Sequence, residues 1–207
     1  MVQKYQLCLA LDTASDVTSV ACLDSMGHKS VVCETLSRGQ GELLMQLIQN
    51  ALKQIGKKPK DLTCVAVTIG PGSFTGVRIG LATARGLGLA LKIPVLGVDN
   101  FTATAHAVSQ RAKIVLESKR ADYFVQNFNA KGKALNKPAL KTATQLKKLA
   151  AFTACGSGAQ RLAEEIGCKV LPISQPLALS AAQIALHSPQ QTVAPHPLYL
   201  READVSI

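Results

Sequence analysis

Apolar positions along this chain switch between near-continuous short runs and three-to-four-residue spacings, and the switching predicts strands alternating with helices. Residues 5–12 (YQLCLALD) are mostly apolar and predict a central first strand. Two more strands are predicted at 18–23 and 29–35, joined as a hairpin by Asp24-Ser25-Met26-Gly27. Leu43, Leu44, Leu47, Ile48, Ala51, Leu52 and Ile55 recur at helical spacing and predict a helix over 41–55, ended by Lys57-Lys58-Pro59-Lys60. A strand at 64–69, a helix from Phe74, a strand at 94–98 and a helix over 100–110, capped by Asp99 or Asn100, complete a β-β-β-α-β-α-β-α order.

Near residue 110 the pattern restarts. Strands are predicted at 113–116 and 123–129, followed by a polar loop over 130–141, a short helix at 143–150 and a strand at 152–155. Gly156-Ser157-Gly158 opens a helix through Ile166, 169–172 forms a strand, and Ser180 caps a helix ending at His187. Pro189, Pro195 and Pro197 mark a partly ordered tail. The chain divides into two similar α/β subdomains, 1–109 and 110–207, the second abbreviated.

The most informative stretch is GPGSFTGVRIGLATARGLG at 70–88. Pro71 and Gly72 supply turn chemistry, and Ser73 is placed to cap the helix. A helix start gathers free N–H groups, so this corner is either an anion site or a structural turn. It is not a Walker A loop, since no Gly-Lys-Ser/Thr closes it. Within the helix, Gly76, Gly80, Ala84 and Gly88 recur every fourth residue and line one face. Each interior glycine weakens a helix by roughly 0.5–1 kcal/mol relative to alanine, which close approach of another backbone would offset. That backbone belongs either to the same domain or to a partner.

Composition narrows the class. With 207 residues, 47% hydrophobic and 17% charged, the chain has material for a sizeable core. Its net charge of +10 is uneven: between Arg111 and Lys148 ten basic residues face only Glu117 and Asp122. Such a segment is either a solvated lysine-rich surface or a site for a polyanion such as tRNA. Six cysteines with no Cys-x-x-Cys spacing fit reduced core positions rather than a zinc site or a disulfide framework. The apolar start is too short for a signal peptide, and charges interrupt 64–98, so a soluble cytoplasmic protein is expected with no membrane contact.

This element order, with LALDTAS at 9–15, ELL at 42–44, GPGSFTGVRIGLATARGLGLAL at 70–91, PVLGVD at 94–99 and PLYLRE at 197–202, resembles the TsaB (YeaZ) family. The resemblance covers nearly the whole chain and thins after residue 110. It implies the actin-like, Hsp70-like ATPase (ASKHA) fold. It further implies a part in the threonylcarbamoyl modification (t6A) of adenosine 37 in tRNAs reading codons that begin with A. In that scheme TsaB is a non-catalytic activator of TsaD, the transferase; TsaE, a P-loop ATPase, joins them, and tRNA is met through the complex. The helices matching 41–55 and 74–91 form a bundle with TsaD or, in isolation, with a second TsaB. That assigns Leu43, Leu44, Leu47, Gly76, Val77, Gly80 and Ala84 to a partner interface.

The departures concern the second half. Where many members carry Asp-Ala-Arg-x-x-Glu-x-Tyr, this chain aligns Glu117, Ser118, Lys119, Asp122 and Phe124, and Gln40 replaces a histidine before the first helix. The resemblance also places an aspartate and hydroxyls at the end of the first strand, against magnesium and phosphate. Asp12, Thr13, Ser15, Gly70, Gly72 and Ser73 are therefore the nucleotide candidates. TsaD holds its metal with His-x-x-x-His, whereas the histidines here, at 28, 106, 187 and 196, lack that spacing. No metal, catalytic residue or cofactor of its own is expected, ATP or ADP with magnesium entering only weakly or within the complex. Two rival readings stay open: a small ATPase or kinase of this fold, and a direct tRNA-binding module using Lys113, Lys119, Arg120, Lys147 and Lys148.

Overall fold

The structure, a computed structural model, describes residues 4–15, 17–35, 40–108, 110–118 and 120–200, with Gln40 described in its backbone only. Its strands are β1 (Leu7–Asp12), β2 (Val17–Asp24), β3 (Lys29–Thr35), β4 (Cys64–Thr68), β5 (Val95–Val98), β6 (Ala112–Glu117), β7 (Asp122–Phe128), β8 (Ala139–Thr142), β9 (Thr153–Cys155) and β10 (Lys169–Leu171). Its α-helices are α1 (Gln40–Gln54), α2 (Phe74–Leu91), α3 (Asn100–His106), α4 (Ala143–Lys147), α5 (Ala159–Ile166) and α6 (Leu177–His187).

The two sheets repeat one plan. The first runs β3-β2-β1-β4-β5 and the second β8-β7-β6-β9-β10, so each puts its own first strand in the centre. β1 is antiparallel to β2 and parallel to β4, and β6 stands in the same relation to β7 and β9. This is the α/β actin-like (ASKHA) architecture.

Side-chain size along β1 decides what covers each face. Leu7, Leu9 and Leu11 point into a core shared with α1 and α2. Cys8 and Ala10 point the other way, where they join Cys64, Ala66 and Ala21 beneath the alanine-rich α6. Small residues on both surfaces let that helix lie close to the sheet. Each fully buried leucine contributes about 1.5–3 kcal/mol. Cys8, Cys22, Cys64 and Cys155 are free thiols in the interior, and burial pushes Cys22 up to about 12 and Cys155 up to about 11.

Each half places its last helix toward the other half. Phe101 and Ala105 of α3 pack into a cluster with Ala112, Ile114, Leu116 and Phe128 of the second sheet. In return α6, which follows the second sheet, covers the first. The segment after residue 110 thus builds the second sheet and also one layer of the first.

Three local expectations need correction. α6 begins at Leu177 behind Pro176, whose φ of −59° suits a helix entry, so Ser180 is an interior residue and not a cap. The loop expected over 130–141 contains the edge strand β8, too short to show an alternating pattern. α3 and α4 end early, at His106 and Lys147. The tail, expected to be partly ordered, makes backbone contacts with the first half: Val193 pairs with Gly97 on the edge of β5, and the Leu198 N–H donates to the Ile69 carbonyl (2.8 Å). Arg201 and Glu202 lie outside the described residues.

Candidate functional site

A cavity of about 530 Å³ opens between the two halves, where the loop after β1 faces the loop after β6. Of the nucleotide candidates, Asp12, Ser15, Gly72 and Ser73 line it. Thr13 and Gly70 turn elsewhere. The Thr13 hydroxyl donates to the Gly76 carbonyl (2.6 Å), and Gly70 is locked to Asn100 by a reciprocal pair: Gly70 N–H to Asn100 Oδ1 (3.1 Å) and Asn100 N–H to Gly70 O (2.8 Å). Gly70 has φ +97°, and a Cβ there would meet the Leu198 carbonyl at 3.1 Å, so glycine is required.

Asp12 is buried and already engaged. Its Oδ1 accepts from the Ala14 N–H (3.1 Å) and the Thr68 hydroxyl (2.6 Å). Burial pushes its carboxyl above the usual aspartate value, against donors on Thr68, Ser15 and Ala14 that pull it down. Ser73 caps α2 by accepting from the Gly76 N–H (3.2 Å), while its own N–H donates to the Ala14 carbonyl (2.8 Å). The start of α2 is therefore packed against carbonyl oxygens of the 13–14 loop.

The fit to a magnesium nucleotide is poor on this donor set. No lysine or arginine lines the cavity among the described residues; its charged lining groups are Asp12 and Glu117. Among the described residues, no cluster of three or more His, Cys, Asp or Glu is arranged to hold a metal ion.

On the opposite lip Glu117 ends β6, the position that Asp12 holds on β1. The Arg161 guanidinium pairs with Glu117 (2.6 Å), stacks 4.1 Å from the Tyr123 ring centroid, and donates from Nε to the Tyr123 hydroxyl (2.7 Å). The Tyr123 hydroxyl also bonds Glu165, and burial together with that carboxylate pushes the phenol up to about 12. Sequence reasoning missed this group, because the four side chains come from β6, β7 and α5 with no local spacing to reveal them. It missed Asn100 as a cavity residue for the same reason: Asp99 is the cap of α3, and Asn100 faces the cleft.

The small-residue stripe of α2 is used inside the chain, which corrects its assignment to a partner. A Cβ on Gly76 would collide with the Thr13 carbonyl oxygen, one on Gly80 would lie 2.5 Å from Thr13 Oγ1, and one on Gly88 would strike Val95. Ala84 and Val77 are buried against the first sheet, and Leu44 and Leu47 belong to the same core, with Leu43 half-buried. The outward face of α2 is a second set of residues. Ala82, Gly86 and Ala90 are exposed at four-residue spacing, Leu89 is 83% exposed, and Met45 of α1 is 46% exposed. A Cβ on Gly86 meets nothing within 4 Å.

The basic candidates separate into two groups. Lys113, near the start of β6, is half-buried, with its Nζ donating to Asn127 Oδ1 (2.8 Å) and lying 4.8 Å from the Phe152 ring centroid. Burial and the charge of Lys141 depress its pKa. Lys147 and Lys148 are exposed at the end of α4. Arg120 is exposed in the turn beyond the far end of β6, a strand that runs about 13 Å from Lys113 to Glu117. Lys119 lies outside the described residues. No described helix is long and apolar enough to cross a membrane.

With this geometry in view, the chain can be set beside known proteins. The family model described as TsaD: tRNA N6-adenosine threonylcarbamoyltransferase matches residues 21–170. A Haemophilus influenzae protein named tRNA threonylcarbamoyladenosine biosynthesis protein TsaB is 37% identical over 99 residues, 48% of this chain and 42% of the relative. An uncharacterized Mycobacterium leprae protein is 30% identical over 206 residues, 95% of this chain and 55% of the relative. The chain thus spans about half the length of these curated relatives. A solved Pseudomonas aeruginosa structure, described as an uncharacterized protein with similarity to peptidase YEAZ, superposes with a TM-score of 0.79 at 23% identity, covering 95% of this chain and all of that one. That likeness shows the shared fold. A family model matching well over half of the residues, together with relatives named TsaB, carries the conclusion: the chain belongs to the threonylcarbamoyltransferase family that the model describes, within its TsaB (YeaZ) group.

Proposed function

We propose that this protein takes part in making the t6A modification of tRNA as a non-catalytic partner subunit of a TsaD-type transferase. The relatives named TsaB support the pathway. The observation that supports a partner role is the outward face of α2, where an 83%-exposed leucine sits on a helix whose opposite face packs into the core. Ala82, Gly86 and Ala90 leave that face flat enough for another helix to approach closely, with Leu89 and Met45 as apolar contacts. On this reading TsaD, or a second copy of this chain when TsaD is absent, covers the α1–α2 pair, TsaE joins the assembly, and tRNA is engaged through the complex.

The rival reading as a small ATPase or kinase has less support, because the cavity offers a polyphosphate no cation among the described residues. The interface reading is tested by co-elution with TsaD. Gly86→Leu and Leu89→Asp, both at open positions, should abolish co-elution while leaving the circular-dichroism spectrum and melting temperature intact. Undiminished co-elution of both variants would overturn it.

A further inference from the structure

The cleft disagrees with the ligand that its fold class implies, and the disagreement is chemical. Both carboxylates on its wall are engaged within the chain: Asp12 by hydrogen bonds from Ala14, Thr68 and Ser15, and Glu117 by an ion pair with Arg161. What remains unspent is neutral hydrogen-bonding capacity. Asn100 is 2% exposed and lines the cavity. The Gly70 N–H requires an acceptor, so Oδ1 must face it, and the amide is fixed with Nδ2 on the other side. Nδ2 has no hydrogen-bond partner among the described residues, and it is not sealed from solvent as Thr18 Oγ1 is. It is a buried, oriented donor with a cavity in front of it.

Gln175 supplies the complement. Its Nε2 donates to Ser180 Oγ (3.0 Å) and Gln183 Oε1 (2.6 Å), which leaves Oε1 as an acceptor on the cavity wall. The Ser157 and Ser73 oxygens each accept one backbone N–H, from Glu117 and Gly76, and each retains a hydroxyl proton to donate. Between these groups the wall is apolar, formed by Leu116, Ile173, Pro176 and Leu177 on one side and Val17 and Pro71 on the other. A volume of about 530 Å³ lies in the range of small-molecule sites.

Oriented neutral donors and acceptors between apolar walls, with two acidic side chains and no lysine or arginine among the described lining residues to meet a phosphate, recognise a flat uncharged ligand with polar edges. We propose that this cleft binds an unphosphorylated nucleoside and discriminates against nucleoside phosphates. A nucleoside offers both an apolar base face and edge groups to meet Asn100 Nδ2 and Gln175 Oε1. A phosphate placed there would meet two acidic side chains, Asp12 and Glu117, and no lysine or arginine among the described lining residues. The site resides within one chain, so the inference is independent of the partner role and can be tested without TsaD.

The experiment is titration calorimetry on the isolated full chain with adenosine, AMP and ATP-magnesium as probes. Adenosine is expected to bind saturably, with AMP and ATP-magnesium weaker by at least about 10-fold. Asn100→Asp keeps the Oδ1 that holds Gly70 and removes the Nδ2 donor. Ile173→Trp fills the cavity from an exposed wall position. Each should weaken adenosine by at least about 10-fold with the melting temperature of a folded protein. Should Asn100→Asp fail to fold, Ile173→Trp alone decides. Binding of ATP-magnesium as tight as adenosine, no saturable adenosine binding up to about 1 mM, or adenosine binding unchanged in the folded variants would each overturn the proposal.

Discussion

Thr13 and Gly76 hold the first lobe's corner together. The Thr13 hydroxyl donates to the Gly76 carbonyl across 2.6 Å, and the Thr13 carbonyl fills the space where a Cβ of residue 76 would stand. The strand end and the start of α2 are thus in backbone contact, which only glycine permits. Gly76→Ala is expected to cost about 3 kcal/mol or more, because backbone must shift to admit the methyl. Gly86→Ala, one helix face away in open space, should instead stabilise by about 0.5–1 kcal/mol through helix propensity. Urea unfolding of the two variants reads the difference in sign.

Asp12 should leave a signature in the pH dependence of stability. Its folded carboxyl is raised above the ordinary value of 3.8 chiefly by burial. In the window between the two values the folded state binds more protons than the unfolded one, so the contribution of Asp12 is fully present below 3.8 and is lost as the pH climbs through the folded value. Asp12→Asn removes this term. The stability of wild type minus that of Asp12→Asn should fall with rising pH above 3.8 and then level off. A difference that rises over the same range would show a depressed carboxyl.

Tyr123 gives a spectroscopic reading of the second lip. Burial and the Glu165 carboxylate outweigh Arg161 and push the phenol up to about 12. Ultraviolet titration of the folded protein should show a tyrosine step at about 12, and Tyr123→Phe should delete that step. Since the neutral phenol is favoured on folding, its stabilising contribution is lost as pH rises from the unfolded value of 10.0 through the folded one.

The tail closes an edge. Val193 exchanges backbone hydrogen bonds with Gly97 (2.8 and 2.9 Å), and Leu198 packs against the core under α2. Arg78 holds the same segment by donating to the Tyr199 hydroxyl (3.2 Å), with the Phe74 and Tyr199 rings in tilted contact, centroids 5.0 Å apart. A chain ended after Thr192 should melt at lower temperature and self-associate with rising concentration, because β5 becomes an open edge. Light scattering against concentration checks this.

Most of the fold was legible because period and residue size agree along the central strands. The leucines and the small residues of β1 alternate so strictly that both covering layers follow from YQLCLALD once the strand is placed. β8 was hidden because four residues on an edge, with Leu140 their one large apolar side chain, carry no period. The stripe Gly76, Gly80, Ala84 and Gly88 announced close backbone approach but not whose backbone, and the sheet itself supplies it. The cavity was half legible. Asp12, Ser15, Gly72 and Ser73 could be gathered from two motifs, whereas Asn100 joins them through its hydrogen bonds with Gly70, and Glu117 and Gln175 only through the way the two halves pack.

Reconstituted modification of tRNA tests the central claim most directly. A TsaD-type transferase and TsaE are supplied with ATP, threonine-derived adenylate and unmodified tRNA, with and without this protein, and t6A formation is followed by mass spectrometry of the nucleosides. The account predicts that modification depends on this protein, that Leu89→Asp fails to support it, and that this protein alone forms no t6A. Modification at the same rate in its absence, or t6A formed by this protein alone, would contradict the account.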